Sequence, residues 1–283
     1  MKAAIALLAL LIMALLLVSV ANATYLQIEG PVSGTLYNNG SIYIGKVGPG
    51  ESFYILASAN TTNATGKEIY LGWNRLEAVQ LPQGWAAQAS QLYANPMKIK
   101  ITAAPNAANG TYAIVIRAVN FYNYSTKKAI LGNLTETVYV NVTPNVFALS
   151  VNPKRLNAGP GEPVNLYITI NNTGASDDPF IINAYGLPAW NVPDEVIALH
   201  STVSTFAYPV YIDEPGVYKF NLTVSSATSA LVHKSYEITL YSKAGLINDY
   251  SAIGEGVMLS PVIYEPAYAV MLFLGQVYKL FAK

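Results

Sequence analysis

The chain is 283 residues long, balances 16 Lys and Arg against 16 Asp and Glu, and contains no cysteine. Zero net charge without a basic run excludes a nucleic-acid partner gripped through its phosphates, and the missing cysteine excludes thiol catalysis, Cys-zinc sites, iron–sulfur clusters and a disulfide framework. Charged residues make up only 11%, against about 25% in an average domain, so Tyr, Asn, Ser and Thr carry the polarity. That surface suits a glycan coat, or an acidic medium in which carboxylates are neutral and unbalanced positive charge would repel.

At the N-terminus, Lys2 precedes an apolar run from Ala3 to Ala21, and Ala21-Asn22-Ala23 offers small residues at the two positions a signal peptidase reads. This predicts a signal peptide over residues 1–23, cleaved after Ala23. The run is also near the minimal length of an uncleaved membrane anchor. Downstream stand nine Asn-x-Ser/Thr sequons, at Asn39, Asn60, Asn63, Asn109, Asn123, Asn133, Asn141, Asn171 and Asn221. A sequon accepts sugar only outside a membrane and on exposed backbone. All nine are glycosylation candidates, and the mature chain is expected on the extracellular face, secreted across the cytoplasmic membrane.

The body reads as short alternating segments: Ser52 to Ala57, Lys98 to Thr102, Thr111 to Val119, Thr137 to Val142, Val164 to Ile170 and Val217 to Val224. Each places β-branched or aromatic residues at every second position, and Gly, Pro, Asn and Asp bound most of them. No long stretch of helical period interrupts them. The fold class expected is all-β, as two sandwiches.

The chain also repeats itself. Gly48-Pro49-Gly50-Glu51 leads into one strand, and Gly159-Pro160-Gly161-Glu162 leads into another; Leu81-Pro82-Gln83-Gly84-Trp85 is echoed by Leu187-Pro188-Ala189-Trp190, and Gly110-Thr111-Tyr112 by Gly216-Val217-Tyr218. The offset is near 105 residues, the size of one sandwich. Gly-Pro-Gly-Glu is a tight turn, in which Pro sets φ and the following Gly accepts φ > 0. The Trp after Leu-Pro is a candidate plug between two sheets. The Tyr after Gly-x is placed to act as a corner residue whose hydroxyl bonds back to backbone.

This order of motifs resembles the Ig-like accessory domains called NEW3 and CARDB, found on archaeal and bacterial surface proteins, over about residues 35–243. The second copy lacks the Gly before Trp190, and the first has a longer strand insertion. The resemblance implies non-catalytic spacers, adhesion modules or accessories to glycan-active enzymes, and no particular ligand. The expected organisation is a signal peptide (1–23), an Ig-like β-sandwich (24–145), a second one (146–243), and a loop followed by a C-terminal hydrophobic helix (244–283).

Within that last segment, Val257 to Tyr278 is mostly apolar, Pro266 suits the first turn of a helix, and Lys279 and Lys283 close the chain. A spanning anchor, a helix lying on the membrane or docking on a partner, and a helix packed on the chain's own domain all remain open. The first two make the membrane a partner; other envelope proteins or glycans are further candidates.

Chemistry is sparse. His200 and His233, the only histidines, have no carboxylate at ligand spacing and read as ordinary surface residues. Asp177-Asp178, Asp194-Glu195 and Asp213-Glu214 read as solvated loop pairs, without the spacing of a calcium loop. No catalytic, cofactor or metal residue is assigned, and the chain is expected not to be an enzyme. Trp73, Phe121, Tyr122 and Tyr124 are the candidates for stacking on sugars, as in a carbohydrate-binding accessory module.

Overall fold

Alternation decides where the strands lie. In Ser52–Thr62 the side chains of Phe53, Ile55 and Ala57 are fully buried while Tyr54 between them is exposed. In Val164–Asn172 it is Leu166, Ile168 and Ile170 that point inward. That period of two is the mark of a sheet with one wet face. The structure is a computed structural model and describes residues 23–62, 67–69, 73–121, 130–187, 191–245, 270–274 and 278. The predicted signal peptide and most of the predicted C-terminal helix lie outside these residues. Residues 270–274 are helical, and among the described residues no helix is long and apolar enough to cross a membrane.

The chain divides into two compact units. The first comprises Met1–Gly45, Ser52–Ala104 and Thr111–Asn141; the second comprises Lys46–Glu51, Pro105–Gly110 and Val142–Lys283. Two short segments from early in the chain, including the first Gly-Pro-Gly-Glu turn, therefore belong with the second unit.

The strands of the first half are β1 (Ala23–Gly30), β2 (Gly34–Tyr37), β3 (Ser41–Val47), β4 (Ser52–Thr62), β5 (Glu68–Ile69), β6 (Arg75–Gln80), β7 (Ala86–Gln88), β8 (Met97–Thr102), β9 (Gly110–Phe121) and β10 (Ile130–Val142). One sheet runs β2-β1-β4-β8-β7, with β5 paired to β4; the other runs β3-β10-β9-β6. The second half holds β11 (Phe147–Asn152), β12 (Arg155–Ala158), β13 (Val164–Asn172), β14 (Asp178–Tyr185), β15 (Asp194–Ala198), β16 (Thr202–Val210), β17 (Gly216–Ser226) and β18 (His233–Ser242). Its sheets run β11-β13-β16 and β12-β18-β17-β14-β15.

The two strand orders correspond. In the first unit β1, β4, β8 and β7 stand where the A, B, E and D strands of an immunoglobulin sandwich stand, opposite G, F and C as β10, β9 and β6. In the second, β11, β13 and β16 are A, B and E, facing β18, β17 and β14 as G, F and C, with β15 added at the edge beside C. In each half a strand from near its start borders G on the opposite sheet, β3 beside β10 and β12 beside β18, and β12 runs parallel to β18. The nearly all-β, Ig-like reading therefore stands on topology. The second unit closes over one core to which both sheets contribute, from Leu166 and Tyr208 on one side to Phe180, Leu222 and Leu240 on the other.

Two sequence expectations have a direct structural counterpart. Trp85 is buried, its ring 5.4 Å from that of Tyr112. The Tyr218 hydroxyl donates to the carbonyl of Glu214, at 3.3 Å, as a tyrosine corner does. Trp190 lies outside the described residues.

Candidate functional site

The second unit contains a pair of buried carboxyls, built from the turn upward. Pro49 and Gly50 occupy the centre of a type II turn, with Gly50 at φ 84°, a conformation open to glycine at little cost. The Glu51 amide donates to the Gly48 carbonyl at 3.1 Å. The chain reversal brings the Glu51 carboxylate back to its own turn, where Oε2 accepts the Gly48 N–H at 2.7 Å. Gly48 has no room for a side chain, since a Cβ there would lie 2.5 Å from Val232 Cγ2 and 2.6 Å from the Glu51 carboxyl.

Asp178 opens β14 on the other side of this contact. Its Oδ1 accepts hydrogen bonds from Ser226 Oγ at 2.9 Å and Thr228 Oγ1 at 3.2 Å. Ser226 ends β17 and Thr228 lies in the loop that follows, which is held in turn by the Ser229 hydroxyl donating to the Pro49 carbonyl. Glu51 and Asp178 are only 2% and 3% exposed, and they lie close enough for each to act on the other's titration. Glu51 Oε1 and Asp178 Oδ2 have no hydrogen-bond partner among the described residues. Two carboxyls can hydrogen-bond to each other only when one of them carries a proton. Burial first, and then the charge of Asp178, push the Glu51 pKa up to about 7; burial raises that of Asp178 as well.

A third carboxyl is buried in the first unit. Glu136 on β10 is fully enclosed against the Gly40 backbone, and burial raises its pKa to about 7.

The acidic doublets separate on folding. Asp177 is exposed and accepts from both the backbone N–H and the ring of His200, with Nδ1 to Oδ1 at 2.7 Å. Asp178, one residue on, points the opposite way because strand side chains alternate. The reading of this doublet as two solvated loop residues is thus corrected: Asp178 is a strand residue and buried. Asp194 and Glu195 open β15 and are exposed; Asp213 and Glu214 remain in an exposed turn. His233 is exposed. Among the described residues no group of three or more His, Cys, Asp or Glu gathers as a metal site.

Of the sugar-stacking candidates, Trp73 is only 8% exposed. This corrects its candidacy: an indole turned to the interior offers no face to a sugar. Tyr122 and Tyr124 lie outside the described residues, and the Phe121 side chain is not described. A different aromatic is better placed. Tyr54 is 41% exposed and lines an open groove of about 400 Å³ with Gln88, Gln91, Pro96, Lys98 and Lys100. Register explains the cluster, because Tyr54 lies opposite Lys100 across β4–β8, and Gln88 lies opposite Lys100 across β7–β8. Lys98 Nζ sits 3.9 Å from the centre of the Tyr54 ring, within cation–π range. Nothing local in the sequence marks this groove, which depends on pairing three strands.

The sequons divide by exposure. Asn39, Asn109, Asn133 and Asn221 are exposed, while Asn60, Asn141 and Asn171 are half-buried. Asn63 and Asn123 lie outside the described residues.

No protein-family model matches the chain, and no curated protein is similar to it. Solved structures of similar shape include the D00–D0 domain of intimin, at 12% identity over 77% of this chain and 100% of that one, with a TM-score of 0.28. A chimeric titin Z1Z2 is similar at 12% identity over 79% and 99% of the two chains, with a TM-score of 0.32. A β-glucosidase from Listeria innocua matches over 34% of this chain and 16% of its own, at 17% identity and a TM-score of 0.24. Scores this low carry no argument, so the fold assignment rests on the strand order above.

Proposed function

We propose that this chain is a non-enzymatic, membrane-associated cell-surface glycoprotein with a structural, adhesive or spacer role in a prokaryotic, specifically archaeal, envelope, built from two NEW3/CARDB-type modules. The observation that carries this reading is the exposure of sequon asparagines in both units, Asn39 and Asn133 in the first, Asn109 and Asn221 in the second. A face that bears sugar cannot be a tight protein interface, so decorated sandwiches serve as spacers or display modules. The C-terminal apolar segment supplies the link to the membrane, and export follows from the N-terminal run.

Glycopeptide mass spectrometry on the full chain made in an archaeal host tests the glycoprotein half. Sugar is expected at the four exposed asparagines, with lower occupancy at Asn60, Asn141 and Asn171; nine unmodified asparagines would sink it. An alkaline carbonate wash tests the membrane half. The full chain should stay in the pellet and a chain ending at residue 256 should be released.

A second reading, a carbohydrate-binding accessory of a surface enzyme complex, is favoured by the Tyr54 groove, where an exposed ring, two amides and two ammonium groups converge. Affinity electrophoresis on acidic and neutral polysaccharides would detect retardation that Tyr54→Ala removes.

A further inference from the structure

We propose that Glu51 and Asp178 form a proton-operated latch, which fixes the Lys46–Glu51 turn within the second unit in an acidic medium and loosens it as the medium turns alkaline. The geometry is complete for one state only. Glu51 Oε2 accepts from Gly48 and Asp178 Oδ1 from Ser226 and Thr228, which leaves one buried, unpartnered oxygen on each carboxyl; a single proton shared by the pair would satisfy both. With the proton gone, two negative charges meet in a dry contact, an arrangement that low dielectric makes costly.

Nothing on the packed elements compensates that charge. The turn contributes Lys46, the segment before β14 contributes Asp177, and the start of β18 contributes His233 and Lys234. Asp177 is engaged with His200, His233 Nδ1 lies against the Ala230 carbonyl, and Lys234 lies over the Phe147 ring. Among the described residues no Lys, Arg or His forms an ion pair with Glu51 or Asp178; pairs elsewhere include Arg117–Glu77, His200–Asp177 and Lys219–Glu237. The hydroxyls that stabilise Asp178 are neutral and cannot cancel a second charge.

The direction follows from linkage. The Glu51 carboxyl is raised from 4.5 to about 7 on folding, so the folded chain holds a proton that the unfolded chain has already released. The resulting stability is fully present below about pH 4.5 and is lost as the pH climbs through about 7. A turn latched this way is tightest in acid, the medium that the charge-poor composition also suits.

The test uses the full chain. Glu136 titrates in the same window, so Glu136→Gln provides the background. In that background the melting temperature should fall by roughly 5 °C between pH 5 and pH 8 beyond what the solvent-exposed groups produce. Adding Glu51→Gln should flatten the fall, because the Gln carbonyl still accepts the Gly48 N–H and its amide donates to Asp178 permanently. Asp178→Asn should flatten it in the same way. A local reading does not depend on the variants folding. The Glu51 side-chain carboxyl carbon, followed by NMR in the unsubstituted protein, should titrate near pH 7, and protection of the Gly48 amide against exchange should be lost over the same range. A Glu51 carbon titrating near pH 4.5, or a pH profile left unchanged by Glu51→Gln, would overturn the latch.

Discussion

The two Gly-Pro-Gly-Glu turns are copies of one local structure with different surroundings. In each, the glutamate N–H donates to the first glycine's carbonyl at 3.1 Å. In each, the glutamate Oε2 accepts that glycine's N–H, at 2.7 Å for Glu51 and 2.6 Å for Glu162. The second glycine has φ 84° in one and 76° in the other. Yet Glu51 is sealed against Asp178, whereas Glu162 is half-exposed. A repeat therefore transmits backbone geometry and a side-chain cap, but not electrostatics. The same carboxylate is a turn-closing group in water and a proton store when a second acid is packed against it.

The largest effect expected from breaking this comparison is at Gly48. A methyl group there would sit inside contact distance of Val232 and of the Glu51 carboxyl, and both neighbours are buried. Gly48→Ala should cost about 3 kcal/mol by overpacking, measured by denaturant unfolding at pH 5, where the latch is closed. A cost below about 0.5 kcal/mol would mean that the contact relaxes freely. Next in size is the charge itself. At pH 8 Glu51→Gln should raise stability by about 2 kcal/mol, and at pH 4 it should leave stability nearly unchanged.

Glu136 sharpens the comparison from the first unit. It is a buried carboxyl without a facing acid, raised to about 7 by burial. Its contribution has the same sign, present below about pH 4.5 and lost as the pH rises through about 7. Glu136→Gln should stabilise by about 1 to 2 kcal/mol at pH 8. The two gains should add, since the two carboxyls belong to different compact units. A strong departure from additivity would couple sites that share no partner in the structure.

Much of this was legible in the sequence, and the remainder was not, for one physical reason. Pro49-Gly50 and Pro160-Gly161 dictate their turns through local φ preferences. The alternation in Ser52–Thr62 and Val164–Asn172 dictates which face is buried. Tyr218 could be placed as a corner because its hydroxyl reaches only four residues back. All of these are decided within a few residues. What escaped needs pairing at long range. Asp177-Asp178 reads as one acidic doublet until β14 turns the second residue inward. Trp73 reads as an exposed ring until the sheets close over it. The Tyr54 groove exists only because β4, β7 and β8 lie side by side. Nothing in the spelling of the two repeats marks Glu51 as the buried copy.

The smaller predictions separate what the two turns share from what divides them. Gly50→Ala and Gly161→Ala both force a Cβ into a left-handed conformation. Each should cost about 1 kcal/mol, and the two costs should match, because the strain lies in the backbone and the backbones match. Smallest of all is Glu162→Gln. The Gln carbonyl still accepts the Gly159 N–H, and water reaches the rest of the side chain, so stability at pH 8 should change by less than about 0.5 kcal/mol. The same isosteric substitution at Glu51 should stabilise several-fold more at that pH. Equal responses at the two positions would place the effect in the turn rather than in the facing carboxyl. Unequal responses that equalise once Asp178 is replaced by Asn would place it in the pairing of the two acids.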